Sequence, residues 1–226
     1  MERRDFLKLG AMGTIAWGLS SSSVWADGMP PEQVATLDPD TALQKLMAGN
    51  QRFATQRPQH PDQSQLRLKE VAESQHPFAT ILSCADSRVP AEIIFDQGIG
   101  SLFDVRIAGN IATPEAIGSV EYAVALLGTP VLMVLGHERC GAVTAAVKNE
   151  ALPGEIGSFV NAILPALEQV KGRSGDSVNA GVIANVSYQM ERLKASSLLT
   201  ERLIAGKLKI VGGYYDLDTG RVRVIA

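Results

Sequence analysis

The sequence predicts an α/β fold: a mostly parallel central sheet flanked by helices, with an antiparallel hairpin at one edge. Three observations predict it. Two short runs, 78–83 and 131–136, are almost wholly apolar, and strands without polar alternation are covered on both faces, as parallel strands are. Segments with helical spacing alternate with them, which is the βαβ pattern. Two further strand-like runs, 207–215 and 221–225, flank Asp218-Thr219-Gly220 and read as a hairpin.

The elements follow in order. Residues 1–26 carry Arg3-Arg4-Asp5-Phe6-Leu7-Lys8, a modestly apolar stretch, a serine run and Val24-Trp25-Ala26. This resembles a twin-arginine export signal with a small-residue cleavage site, so a periplasmic or otherwise exported protein is expected. Residues 27–40 are rich in proline and small polar residues and read as a linker. From Thr41 the spacing of Leu43, Leu46, Met47 and Phe53 is helical, with Asp40 or Thr41 as cap. Residues 56–65 are polar, contain Pro58 and Pro61, and read as an extended crossing. Strands are expected at 78–83, 101–107 and 131–136. Helices are expected at 114–127 (Thr113 as cap, Pro114 in the first turn), and at 140–148, 156–170, 178–193 and 197–205.

Bulk properties exclude other classes. A chain of 226 residues with 46% hydrophobic content buries one substantial core. A net charge of −3 and a pI near 5.7 leave no basic footprint for nucleic acid. No apolar run is long enough for a membrane span, so no membrane partner is expected beyond the export machinery.

Chemistry concentrates in two segments. Cys84-Ala85-Asp86-Ser87-Arg88 follows the first apolar run, and His137-Glu138-Arg139-Cys140 follows the run 131–136; together they hold both cysteines and one of the three histidines. Ligands in a parallel sheet gather beyond the carboxyl ends of the strands, so Cys84 and His137 meet if their strands are neighbours. Two thiolates and an imidazole suit zinc, and three protein ligands leave a fourth position for water. Asp86 has two options there: to be the fourth ligand, or to pair with Arg88 and orient the nucleophile. Two cysteines in an oxidising compartment would ordinarily suggest a disulfide, which keeps a non-catalytic zinc or disulfide module open as an alternative. His60 and His76 read as loop histidines, and the glycines at 98, 100 and 109 as permitting tight backbone around the site.

In this order, after two apolar strands, Cys-x-Asp and His-x-x-Cys make residues 41–226 resemble a β-class carbonic anhydrase. The likeness extends over 43–53, 84–90, 98–110, 121–123, 136–141 and 212–220. It implies reversible hydration of carbon dioxide to bicarbonate and a proton, with one Zn2+ per chain on Cys84, His137 and Cys140. It assigns Asp86 and Arg88 to the catalytic dyad, and Gln75 to bicarbonate binding, often across a subunit interface. It further implies a homodimer or tetramer whose N-terminal helical arm embraces the neighbour. Hydrolysis of carbonyl sulfide or carbon disulfide on the same scaffold is the alternative chemistry. Ile81 and Val89 are expected on the apolar wall. The chain departs from the family pattern at Ser101 and Ile107. Ile81 stands where a bicarbonate-gated subgroup has tryptophan, although Arg106 and Tyr122 match other residues of that gated site.

Overall fold

A computed structural model of the chain describes residues 37–149, 152–168, 170 and 177–226. The expected export signal, 1–26, and most of the expected 27–40 linker lie outside these residues. Five strands form one sheet: β1 (Ala79–Ser83), β2 (Leu102–Arg106), β3 (Val131–His137), β4 (Lys209–Tyr215) and β5 (Val222–Val224), in the order β2-β1-β3-β4-β5. The three pairings β1–β2, β1–β3 and β3–β4 are parallel, and β4–β5 is antiparallel. Every residue of β1 and β3 is buried, as their apolar character requires.

Alternation along the strands feeds two apolar layers. On one face Ala79, Ile81, Met133, Leu135 and Val211 pack with α1 (Pro39–Ala54) and the short α3 (Ala91–Ile94). On the other, Leu82, Leu132, Val134 and Ile210 pack with α4 (Pro114–Ala125), α7 (Ser177–Lys194) and α8 (Ser197–Ile204). A third cluster beyond the strand ends joins Cys84 and Cys140 to α5 (Gly141–Lys148) and α6 (Ile156–Glu168). Among the described residues no helix is long and apolar enough to cross a membrane.

Two local expectations are corrected, and two short helices are added. The first helix begins at Pro39, inside the expected linker, and its cap is Asp38 rather than Asp40 or Thr41. Proline at the first turn needs no amide partner, and Asp38 Oδ1 accepts from the amides of Asp40 (3.1 Å) and Thr41 (3.0 Å). The polar stretch 56–65 has no helix or strand before Gln65; the helix that follows it, α2 (Gln65–Glu73), capped by the Ser64 hydroxyl, is an addition. This helix carries Leu66, Leu68 and Val71 but buries none of its residues, so no apolar face is fixed in the core. The turn at α3 follows Pro90 and is too short to show a period.

Asn50 ties α1 to the hairpin. It is 3% exposed; its amide donates to the carbonyls of Ile94 and Gly220, and its Oδ1 accepts from the Val222 amide. Beside it the α1 backbone meets α3 at Gly49, where a Cβ would lie 1.8 Å from the Phe95 carbonyl oxygen. Backbone cannot yield as a flexible side chain does. Gly49→Ala should therefore cost at least about 3 kcal/mol of stability, read as a lower urea midpoint.

Asp104 on β2 sits opposite Ile81 of β1. Burial pushes its carboxyl up to about 6; the charge of Glu92 adds to the rise, while Arg106 and the Ser83 hydroxyl, donating to Oδ1 at 3.3 Å, oppose it. Between the unfolded value of 3.8 and about 6, the folded state holds more protons than the unfolded one, so stability falls as pH rises through that window. Asp104→Asn should raise Tm at pH 8, and the gain should vanish near pH 4.

Candidate metal centre

Because β1 and β3 run parallel as neighbours, with Ser83 beside Leu135, their carboxyl ends open at the same side of the sheet. Cys84 follows β1 directly, and His137 is the last residue of β3. The chain then turns through Glu138 and Arg139, the latter at φ 52°, and delivers Cys140 as the residue preceding α5. The turn is held from outside: Arg139 donates to both Asp218 carboxylate oxygens at 3.0 and 2.7 Å and to Glu138 at 3.2 Å. The ligand atoms of Cys84, His137 and Cys140 all lie within 4.8 Å of one another. Their residues are 5%, 0% and 1% exposed.

The donor set suits a zinc ion. His137 Nδ1 bonds the carbonyl of Glu138 at 2.9 Å, which assigns the ring proton to Nδ1 and leaves a lone pair on Nε2. That Nε2 is buried without a hydrogen-bond partner, an arrangement that costs free energy unless an electrophile fills it. Both cysteines are free. The hydrogen bond from Cys140, aided by His137 and the Gly109 amide, pulls the Cys84 thiol down to about 4 against the effect of burial. The same bond, burial and the charge of Cys84 push Cys140 up. A divalent cation bound there would favour the thiolate form of both. The Gly109 amide donates to Cys84 Sγ at 3.3 Å.

Asp86 is engaged by Arg88. The guanidinium donates to Oδ1 at 2.9 Å and Oδ2 at 2.8 Å, and the Arg88 amide donates to Oδ1 at 2.9 Å. This fork holds the Asp86 carboxyl down at about 2. Asp86 Oδ2 lies 3.9 Å from His137 Nε2, beside the triplet. Arg106 fixes the intervening backbone, donating to the carbonyls of Cys84 (3.3 Å) and Asp86 (2.7 Å).

Other sequence candidates stand elsewhere. Gln75 is exposed on the segment before β1. Cys84 follows the far end of that strand, which is about 16 Å long, so Gln75 and Cys84 leave opposite ends of β1. His76 is exposed and bonds the Ser74 hydroxyl; His60 is exposed in the 56–64 segment. Ile81 and Val89 are fully buried in the core with Leu46 and Phe95, so neither lines an open wall; Ile111, Ala142, Val143 and Ile163 surround the cysteines instead. Tyr122 packs its ring 6.1 Å from that of Phe103. The reading of residues did not single out the Gly109 amide, the Glu138 carbonyl or the Arg106 clamp. The first two are main-chain groups with no signature in residue type.

Known proteins agree with this architecture. A family model described as carbonic anhydrase matches residues 79–222. Carbonic anhydrase 2 of Mycobacterium tuberculosis is 42% identical over 192 residues, covering 81% of this chain and 91% of that protein. The carbonic anhydrase of Mycolicibacterium smegmatis is 36% identical, covering 83% and 93%. Among solved structures, the β-carbonic anhydrase CcaA superposes with a TM-score of 0.67 at 26% identity, covering 81% of this chain and 95% of that one. The β-carbonic anhydrase CafA of Aspergillus fumigatus gives 0.66 at 26% identity, covering 81% and 90%. With family match, relatives and sheet topology in agreement, this chain belongs to the carbonic anhydrases, in their β class.

Proposed function

We propose that Cys84, His137 and Cys140 hold one zinc ion per chain, and that Asp86 and Arg88 serve hydration of carbon dioxide to bicarbonate at its open position. The observation that carries this reading is the buried His137 Nε2, unpartnered and facing two free thiols. Zinc bound there supplies a Lewis acid that makes water a nucleophile near neutral pH. The protein's part is orientation. The Asp86 carboxylate accepts a hydrogen bond from the attacking water and aims its lone pair, while Arg88 keeps the carboxylate ionised and fixed. Movement of Asp86 onto the metal as a fourth ligand would break two charge-assisted bonds to Arg88, which favours the open arrangement. Burial of the triplet limits bulk water around the metal and strengthens these interactions.

Zinc analysis together with stopped-flow hydration above pH 8.5 tests the proposal. A protein carrying one zinc per chain without turnover would overturn it.

We further propose a homo-oligomer in which Gln75 from a neighbouring chain approaches the centre, since Gln75 stands at the opposite end of its own β1. Residues 1–26 would direct export of the folded, metal-loaded protein, where the metal keeps two adjacent thiols from pairing. Cell fractionation with and without Arg3 and Arg4 tests the address.

A further inference from the structure

Helix α7 carries two polar side chains into the interior. Asn185 and Gln189 are both 0% exposed, and both are spent on the backbone strip 108–112. Asn185 Nδ2 donates to the Gly109 carbonyl at 2.8 Å. Gln189 Oε1 accepts from the Ala112 amide at 2.9 Å. The two are joined, Gln189 Nε2 donating to Asn185 Oδ1 at 2.9 Å, and Gln189 also reaches the Ala162 carbonyl of α6 at 3.3 Å. Every bond is internal, and a lost partner would leave a buried polar group unsatisfied.

The strip they hold is the one whose Gly109 amide points at Cys84 Sγ. Gly109 sits at φ +72°, and a Cβ there would lie 2.7 Å from Ile163 Cδ1 and 3.1 Å from the Ala142 Cβ. The backbone therefore passes close between α5 and α6 in a left-handed conformation that only glycine fits there. Asn185 anchors the carbonyl on one side of the Gly109 Cα, and the amide on the other side meets the sulfur.

We propose that Asn185 and Gln189 are positioning residues for the metal centre, acting through Gly109: they aim its amide at the Cys84 sulfur and so set how strongly that thiolate donates to the metal. An amide proton on a thiolate withdraws charge from the sulfur, and such outer partners commonly change metal affinity about 10–100-fold. The inference rests on the metal reading above. It differs from a packing role, which would lower stability and leave the electronic character of the bound metal in place.

The test loads the full chain with cobalt(II) and compares wild type, Asn185→Asp, Gln189→Met and a control, Leu193→Ala. Leu193 is 0% exposed on the same helix but belongs to the β1–β3–β4 layer. The thiolate-to-cobalt charge-transfer band and the rate of zinc loss to a chelator are read together. The expected result is a shifted band and about tenfold faster zinc release in the Asn185 and Gln189 variants, with both readouts unchanged in the control at lowered Tm. Variants that match the control in band and release rate would overturn the proposal. Should the variants not fold, wild-type protein loaded with 113Cd decides: a scalar coupling between the metal and the Gly109 amide proton supports the link, and its absence overturns it. Failure of the wild type to take up cobalt, cadmium or zinc would instead sink the metal reading, and this inference with it.

Discussion

His137→Ala should strip the protein of zinc and reduce carbon dioxide hydration to the uncatalysed background. The imidazole is wholly buried, and its Nδ1 is committed to the Glu138 carbonyl. Its Nε2 therefore has no alternative role within the chain. Removal leaves Cys84 and Cys140 as a two-sulfur remnant within 4.8 Å of each other, one ligand short of a tripod that holds zinc with an open position. Elemental analysis and stopped-flow hydration check the outcome together. Full zinc occupancy in this variant would show that the metal sits elsewhere. The emptied site should also lose the protection that metal gives the thiols, so Cys84–Cys140 disulfide should accumulate under air, seen as loss of titratable thiol.

Asp86→Asn should keep the zinc and lose the rate. The side chain is held by Arg88 rather than grouped with the three ligands, so occupancy should match wild type. Activity should fall by at least about 100-fold, the scale on which a positioned proton acceptor acts. The amide keeps the shape but offers one acceptor oxygen where the carboxylate offers two, and its NH2 group faces the Arg88 guanidinium. Arg88→Ala should move activity in the same direction by freeing the carboxylate. Acid sensitivity has a different origin. Arg88 holds the Asp86 carboxyl at about 2, below its ordinary 3.8, so the carboxylate persists well below neutrality. Its contribution to stability is present above 3.8 and is lost only as pH falls toward about 2. A wild-type rate surviving in Asp86→Asn would remove this residue from the chemistry.

Much of this arrangement is legible in the sequence because burial and chemistry reinforce each other there. The unbroken apolar runs of β1 and β3 announce strands covered on both faces, and Thr113-Pro114 marks the start of α4 with both a cap and a first-turn proline. The hairpin shows in Asp218-Thr219-Gly220, with Gly220 at φ 72°. Cys84, His137 and Cys140 stand out because soft ligands are rare in this chain. Other features leave no such trace. Helix α2 sinks no residue into the core, and the Asp38 cap competes with two equally good neighbours for the same role. Asn185 and Gln189, four residues apart on α7, have the spacing of a solvated face, and only the tertiary path of the 108–112 strip buries them. Gln75 shows the converse: its place in the pattern is readable, but its position relative to the centre depends on which chain supplies it.

The strap from Arg139 to Asp218 joins residues 79 apart in sequence, and the Glu138 amide beside it donates to the carbonyl of Tyr215 at 2.9 Å. The bend that presents Cys140 is thus braced by the β4–β5 hairpin, far away in sequence. The spacing of His137 and Cys140 is a tertiary property as well as a local one, because it depends on the docked β4–β5 hairpin.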